Sequence, residues 1–308
     1  MGFLAIDIGG TRIRAGWFNA GLELQQRSET LSLAHQGREA MLQHILDTAR
    51  AVLPGPEVEI SAIGVAAPGP LDPEAGIVYH AESLPGWLDV PLVQIIGQAF
   101  GGVPVRLNND ANLAALAEYH FGAGQGADPM LYLTLSTGIG GGAVLNGRLF
   151  TGWRGLATEP GHMRFTLPDG QVCRLEDLAS GTALARQARQ QLVSSGMPSV
   201  LRAAPVIDGQ AVGEAAASGD ALALDVVQTA GRWLGLGLVN LLHLFNPQAV
   251  VIGGSVAQLG ALILDPARSV MEQHLMLPQF DDPDLIRLSR LGDNAGLVGA
   301  ALIARQSV

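Results

Sequence analysis

The chain has 308 residues, 48% of them hydrophobic and 15% charged, with a net charge of −10. That is enough to bury a sizeable core and, at about 100–200 residues per domain, to form two domains. The acidic balance offers no clustered basic face for a phosphate backbone, which argues against nucleic acid as a partner. A single cysteine excludes an intrachain disulfide and fits a reducing compartment.

The opening "MGFLAIDIGGTR" has neither the basic stretch nor the cleavage site of a secretory signal. "FLAIDIGG" (3–10) is a short apolar run ending on a glycine pair, and "TRIRAGWF" (11–18) follows with partial alternation. Together they predict two strands around a glycine turn. Helical periodicity runs over 39–53 and stops at Pro54, and 59–70 predicts a buried strand breaking into a Pro/Gly turn. "LVQIIGQAFG" is a short helix, "VPVRLNND" a strand ending in polar residues, and 111–122 a helix. Beyond "AGQGADP" the pattern restarts, which marks a boundary near 122–129. Residues 130–150 predict strand, glycine-rich turn and strand, with Asn146-Gly147 as a hairpin signal. Residues 176–194 are helical, and 208–245 hold helices broken at "SGD". "WLGLGLVNLLHLF" (233–245) is too short to span a bilayer and carries Asn240 and His243, so it reads as a buried helix. A strand over 248–255 ends on a glycine pair, and 294–306 is a closing helix.

Strands alternating with helices predict an α/β fold. "AIDIGGTRIRAGWF" and "LTLSTGIGGGAVLNG" echo one another, one near the start of each half. The expected division is an N-terminal lobe over 1–122, completed by the closing helix 294–308, and a larger lobe over 123–293. Each lobe offers a glycine hairpin to a cleft between them.

A glycine turn between antiparallel strands presents backbone N–H groups with no Cβ in the way, a nest suited to phosphate oxygens. Alone, "DIGGTR" is also compatible with an ordinary hairpin. Asp7 adds weight, because a carboxylate between Ile6 and Ile8 is costly to bury unless paired or near a cation, and Mg²⁺ would account for it. "GIGGGA" (138–143) formally fits a dinucleotide fingerprint, but a hairpin follows it where a helix is required. No G-x-x-x-x-G-K-[ST] motif occurs. Asp110 stands just before a helix, either as its N-cap or as a general base beside the amide of Asn109. Glu159 and His162 flank a Pro-Gly turn, and Gly253-Gly254 ends a strand. Taken singly, both read as plain turns.

In order, "DIGGTRIRAG", "APGPLD", "LPGWLDVPL", "NNDANLAALAE", "LSTGIGGG", "EPGHMRF", "LEDLASGTAL", "NPQAVVIGG" and "AGLVGAALIA" resemble the ROK family of sugar kinases across essentially the whole chain. The resemblance implies a two-lobed actin/hexokinase/Hsp70-like ATPase fold with the active site in the inter-lobe cleft, and it is closest to the bacterial glucokinases of the family. It implies ATP/phosphate binding at Asp7, Gly9, Gly10, Thr11, Arg12, Thr137, Gly138, Gly140, Gly253 and Gly254, with Asp7 near Mg²⁺, directly or through water. It implies sugar binding by Asn109, Asp110, Glu159, His162 and Glu176, with Asp110 as catalytic base. The expected reaction is ATP-dependent phosphorylation of the 6-hydroxyl of glucose. Fructose, mannose and N-acetylhexosamines are the alternative substrates, and a non-catalytic sugar sensor is the further one.

The chain departs from the family pattern in places. Asn108 stands where a Glu is frequent, and Pro160 where a branched apolar residue is usual. Many members hold a structural zinc with one His and three cysteines. Here Cys173 runs through Arg174 into Leu175-Glu176, so no structural zinc is expected. ROK repressors carry a DNA-binding domain ahead of the first phosphate motif, and only six residues precede Asp7 here, so a repressor is not expected. The remaining expectations are a cytoplasmic homodimer with no membrane or nucleic-acid partner.

Overall fold

The computed structural model describes residues 1–55, 58–81, 83–280 and 282–308. Two compact units emerge. One comprises Met1–Gly122, Leu149–Ala157 and Asp293–Val308; the other comprises Ala123–Arg148 and Thr158–Gly292.

The first unit contains β1 (Gly2–Ile8), β2 (Arg12–Phe18), β3 (Leu24–Leu31), α1 (Arg38–Arg50), β4 (Ile60–Ala67), β5 (Leu71–Asp72), β6 (Ile77–His80), β7 (Leu88–Val90), α2 (Leu92–Ala99), β8 (Val105–Asn109) and α3 (Asp110–Phe121). Its main sheet has the order β3-β2-β1-β4-β8, and β5, β6 and β7 form a separate small sheet. β1 runs antiparallel to β2 and parallel to β4, and β4 runs parallel to β8.

Every residue of β1 is buried, because helices cover both faces of the sheet. Side chains alternate along a strand, so Leu4, Ile6 and Ile8 share one face and pack with Met41, Ile45 and Ala49 of α1. Phe3 and Ala5 share the other face. There they meet Leu113 and Leu116 of α3, with Leu297, Ala300 and Ala301 from near the C-terminus. The same parity puts Asp7 on this second face.

The second unit contains β9 (Met130–Leu135), β10 (Ile139–Leu145), the first residue of β11 (Arg148–Leu149), β12 (Arg164–Thr166), β13 (Val172–Arg174), α4 (Glu176–Ala179), α5 (Gly181–Ser194), α6 (Gly209–Ala217), α7 (Ala221–Phe245), β14 (Ala249–Gly253), α8 (Ala261–His274) and β15 (Ile286–Leu288). The closing helix α9 (Ala295–Arg305) belongs to the first unit. The second sheet has the order β11-β10-β9-β14-β15. β9 is antiparallel to β10 and parallel to β14, as β1 is to β2 and β4. The echo in sequence is thus an echo in topology.

The core of this unit joins Leu131, Leu133 and Leu135 of β9 to Val250 and Ile252 of β14 and to the apolar faces of α5–α8. α7 and α8 approach closely because Gly231 and Gly235 lie one turn apart on α7. A Cβ at those positions would stand 2.4 Å from Ile263 O and 2.5 Å from Ala267 O. Among the described residues no helix is long and apolar enough to cross a membrane.

The glycine run differs from its sequence reading. Gly140, Gly141 and Gly142 do not form the turn but lie inside β10, opposite Thr134, Leu133 and Tyr132. The turn is Ser136–Gly138. Close approach explains the run at its centre, since a Cβ on Gly141 would lie 2.6 Å from Pro160 Cγ and 3.0 Å from Tyr132 O. The helical stretch 176–194 is likewise broken at Ser180, whose hydroxyl caps α5 by accepting from the amide of Ala183.

Gly64 of β4 tests the seating of α9. A Cβ there would stand 1.8 Å from Ala300 O. Gly64→Ala is expected to lower the urea midpoint of the first unit, at a cost of about 1–3 kcal/mol or more. An unchanged midpoint would show that α9 does not pack there.

Candidate active site

The first glycine turn joins β1 to β2 at Gly9-Gly10-Thr11. Its carbonyls are engaged from inside the unit: the Ser32 hydroxyl donates to Gly10 O, and the Ser32 amide donates to Thr11 O at 2.9 Å. Gly9 donates its own N–H to Arg12 O at 2.8 Å. The amides of Gly10 and Thr11 have no protein acceptor among the described residues. Gly10 must be glycine because a Cβ would lie 2.8 Å from that of Ser83.

Asp7 lies one residue before the end of β1, opposite Arg14 of β2. Its Oδ2 takes a long contact of 3.4 Å from Arg14 Nη1. Burial pushes its carboxyl pKa up, and the Arg14 charge and hydrogen bond only partly offset this. The first turn of α9 lies over it, and a Cβ on Gly296 would stand 2.8 Å from Asp7 Cγ. Arg14 is shared, because its Nε also donates to Glu29 Oε2 at 3.1 Å. Arg12 pairs with the other oxygen of Glu29, and Arg27 lies 2.6 Å from Oε2. Burial opposes ionisation of Glu29, but hydrogen bonds and charge from Arg12 and Arg14 outweigh it and hold the carboxyl below its ordinary value. Arg12 is therefore next to the turn but drawn onto Glu29.

At the end of β8, Asn109 is the N-cap of α3. Its Oδ1 accepts from the amides of Ala111 at 2.9 Å and Asn112 at 3.3 Å. The capping role open to Asp110 in sequence thus falls to its neighbour. Asp110 is the first helical residue, with Oδ1 2.8 Å from the Ala111 amide, and a carboxylate in the first turn suits the helix dipole.

The second unit repeats the nest. Ser136 O accepts from Gly181 N at 2.7 Å, and Thr137 O accepts from the Thr182 hydroxyl at 2.8 Å. Gly138 O accepts from Ser136 N at 2.9 Å. The start of α5 thus saturates the carbonyl side of the turn, and the amides of Thr137 and Gly138 have no protein acceptor among the described residues. Gly140 sits in β10, two residues past the turn. Gly253 ends β14 opposite Thr134 of β9. Gly254 has φ +90°, and a Cβ on it would lie 2.3 Å from Leu135 O. Both are glycine because strand ends crowd here.

Glu159, Pro160, Gly161 and His162 form a short turn, closed by His162 N donating to Glu159 O at 3.1 Å. It packs on β10, where a Cβ on Gly161 would meet Ile139 O at 2.1 Å. Glu159 and His162 are exposed. Desolvation raises the Glu159 carboxyl pKa, the charge of Glu176 adds to this, and His162 opposes it. Glu176 opens α4. Its Oε2 accepts from the Ile139 amide at 3.3 Å and its Oε1 lies 2.8 Å from Arg174 Nη1. In the second unit, Glu176 bridges to the turn through the Ile139 amide and Gly161 packs on Ile139, whereas in the first unit Asp7 and Arg12 flank the turn and Asn109 and Asp110 lie at the end of β8. Arg14 and Arg174 were missed. Hairpin register signals the first as the cross-strand partner of Asp7, and spacing from Asp177 signals the second.

The sequence model of the ROK family matches residues 3–307. The chain belongs to the ROK family. It is 33% identical to the glucokinase of Halalkalibacterium halodurans over 316 residues, covering 99% of this chain and 95% of that protein. It is 35% identical to the glucokinase of Streptomyces coelicolor over 317 residues, covering 98% and 97%. A crystal structure of a ROK family glucokinase from Streptomyces griseus, in complex with glucose and AMPPNP, has a TM-score of 0.83 at 34% identity, with 99% of this chain and 100% of that one covered. This ROK chain has the actin/hexokinase-like ATPase fold.

The raised Glu159 pKa has a consequence for stability. A carboxyl whose folded pKa lies above its unfolded value stabilises fully below the unfolded value, and this is lost as pH rises through the folded one. Glu159→Gln is therefore expected to melt above the parent ROK protein at pH 7, with the gap closing below about pH 4.3. A gap independent of pH in thermal melts would contradict the assignment.

Proposed function

We propose that this ROK chain is a glucokinase that transfers the γ-phosphoryl group of ATP to the 6-hydroxyl of glucose. One observation carries the reading: each unit holds a hairpin turn whose carbonyls are occupied while two consecutive amides lack an acceptor. Such paired amides form anion nests for phosphate oxygens. The glucokinase names of relatives that align along nearly the whole chain support it.

Phosphoryl transfer proceeds through a loose transition state, so the protein contributes positioning and charge compensation more than covalent chemistry. Gly10, Thr11, Thr137 and Gly138 would hold phosphate oxygens through the backbone, and Gly9, whose own N–H is spent on Arg12 O, would shape the first turn. Gly140, Gly253 and Gly254 would let the nucleotide approach closely. Arg12 would reach the phosphates only by sharing or leaving Glu29. Asp7 fits a magnesium ion: its carboxylate is buried, and its Oδ1 has no protein donor among the described residues. Mg²⁺ is commonly held by one or two carboxylates plus substrate phosphates. When bound with ATP, the ion supplies neutralisation of phosphate charge.

The sugar side follows from hydrogen-bond capacity. Asn109 commits its carbonyl oxygen to capping α3, so its NH₂ group is what remains to donate to a hydroxyl oxygen. Glu159, His162 and Glu176 would bind further hydroxyls. Asp110 would orient the 6-hydroxyl and accept its proton as the new O–P bond forms.

Asp110→Asn is expected to lower kcat about 10²–10⁴-fold while glucose binding largely survives. A coupled assay of ADP release, with isothermal titration of glucose, checks both. Near-parental turnover in the Asn variant would sink the base assignment. A panel of glucose, fructose, mannose and N-acetylhexosamines, with ATP or polyphosphate as donor, tests the substrates. Glucose with ATP is expected to give the highest kcat/KM.

A further inference from the structure

The ends of β12 and β13 meet beside the Glu159–His162 turn, and one side chain there touches two carboxylates. Arg174 closes β13, opposite Arg164 of β12. Its Nε and Nη2 form a fork on Asp177, at 3.0 Å to Oδ2 and 3.0 Å to Oδ1. Its third nitrogen, Nη1, lies 2.8 Å from Glu176 Oε1. The Arg174 amide also donates to Asp177 Oδ2 at 3.1 Å. All three guanidinium nitrogens are thus spent on the first two residues of α4.

We infer that Arg174 is a positioning residue, one that fixes the Glu176 carboxylate between the turn carrying His162 and the turn carrying Thr137 and Gly138. The inference rests on the proposed sugar-kinase reading for what Glu176 would bind. The geometry itself does not depend on that reading.

The contacts run in both directions from Arg174. Toward His162, the amide of Leu175 donates to Met163 O at 2.9 Å, so the residue after Arg174 is tied to the residue after His162. Leu175 is fully buried and packs against Gly237 of α7, which gives the pair a rigid base. Toward the phosphate turn, Glu176 Oε2 accepts from the Ile139 amide at 3.3 Å. A Cβ on Gly138 would stand 2.6 Å from that same oxygen, so the carboxylate fills the edge of the turn.

The three side chains are 21–31% exposed, which screens these pairs less than surface ones. The fork holds the Asp177 carboxyl below its ordinary pKa, chiefly through the Arg174 hydrogen bond. A bidentate fork fixes orientation as well as distance, so Asp177 aims Nη1 at Glu176. Lysine offers one point charge and cannot span both carboxylates.

The test uses the full chain in two arms. In the first, hydrogen exchange at the Ile139 amide is followed without ligand in the parent, Arg174→Met and Glu176→Gln. Arg174→Met is expected to speed exchange there about 10-fold or more. Parental protection would overturn the inference. In the second arm, hexose kinetics of both single variants and the double variant form a cycle. Arg174→Met is expected to lose about 10- to 100-fold in kcat/KM for the hexose, mostly through KM. If Arg174 acts through Glu176, adding it to Glu176→Gln costs little more. Full additivity would overturn the inference. If the Met variant does not fold, Arg174→Lys is expected to move exchange and KM in the same direction, and parental values in it would count against the proposal. A chain that phosphorylates no hexose would defeat the functional reading, while the exchange arm still decides whether Arg174 holds Glu176 on Ile139.

Discussion

Two consecutive amides left without a protein acceptor, at the tip of a tight turn, are the feature the surrounding structure serves in each unit. Such a turn leaves carbonyls without donors and amides without acceptors, so the carbonyls have to find donors from elsewhere in the unit. In the first unit Ser32 takes the carbonyls through its hydroxyl and its amide. In the second the start of α5 does so, through Gly181 and Thr182. The solutions differ in residues and agree in outcome. With the carbonyls saturated from behind, the amides face outward at fixed spacing, and no rearrangement is needed to receive an anion. The glycines around them follow from the same requirement. Gly181 is the clear case: a Cβ on it would stand 2.9 Å from Ser136 O, the carbonyl to which its own amide donates.

A protein of net charge −10 that handles phosphate has to do so locally. Backbone amides carry no net charge, and so the nests do not alter the acidic balance of the chain. The arginines near the first turn do not stand free either: Arg12, Arg14 and Arg27 all contact Glu29, and Arg14 also reaches Asp7. Glu29 thus holds the cationic groups in place, and Asp7, buried with only a 3.4 Å contact, is the carboxylate left short of compensation. Both properties concern the same sheet face, and both depend on the β1–β2 register that sets Arg14 opposite Asp7.

The fold class, the ordered motifs and most elements were legible because they rest on local signals. Apolar runs ending on glycine pairs, and periodic helices closing before proline or glycine, report backbone geometry that a few neighbours determine. The glycine run 140–142 was misread for a physical reason. Glycine marks either a special dihedral or a close approach, and sequence alone does not say which. At Gly141 it is the approach of Pro160, distant in the chain, that excludes a side chain. The Asn109–Asp110 pair shows a second limit. Both residue types cap helices well, so which one does is decided by where β8 ends. Glu159, His162 and Glu176 are assigned to sugar binding by resemblance alone, since a short polar turn has no periodicity to read. Arg174 is marked in the sequence only by its spacing from Asp177, because its contacts come from a guanidinium reaching two carboxylates on the next element.

Asn109 shows how much one side chain is asked to do. Asp would cap α3 as well as Asn, and by stability alone the two are nearly interchangeable at that position. The difference lies in what remains after capping. An Asp has a second carboxylate oxygen left, beside the carboxylate of Asp110, and two like charges so close would raise one another's pKa. An Asn has an NH₂ group left, neutral and a donor. Gly69 makes room for it, since a Cβ there would stand 3.1 Å from Asn109 Nδ2. Under the proposed reading, the donor meets a sugar oxygen and adds no second negative charge beside Asp110. The cap therefore orients the amide as a consequence of starting the helix, and the same bond that begins α3 sets the geometry of the site.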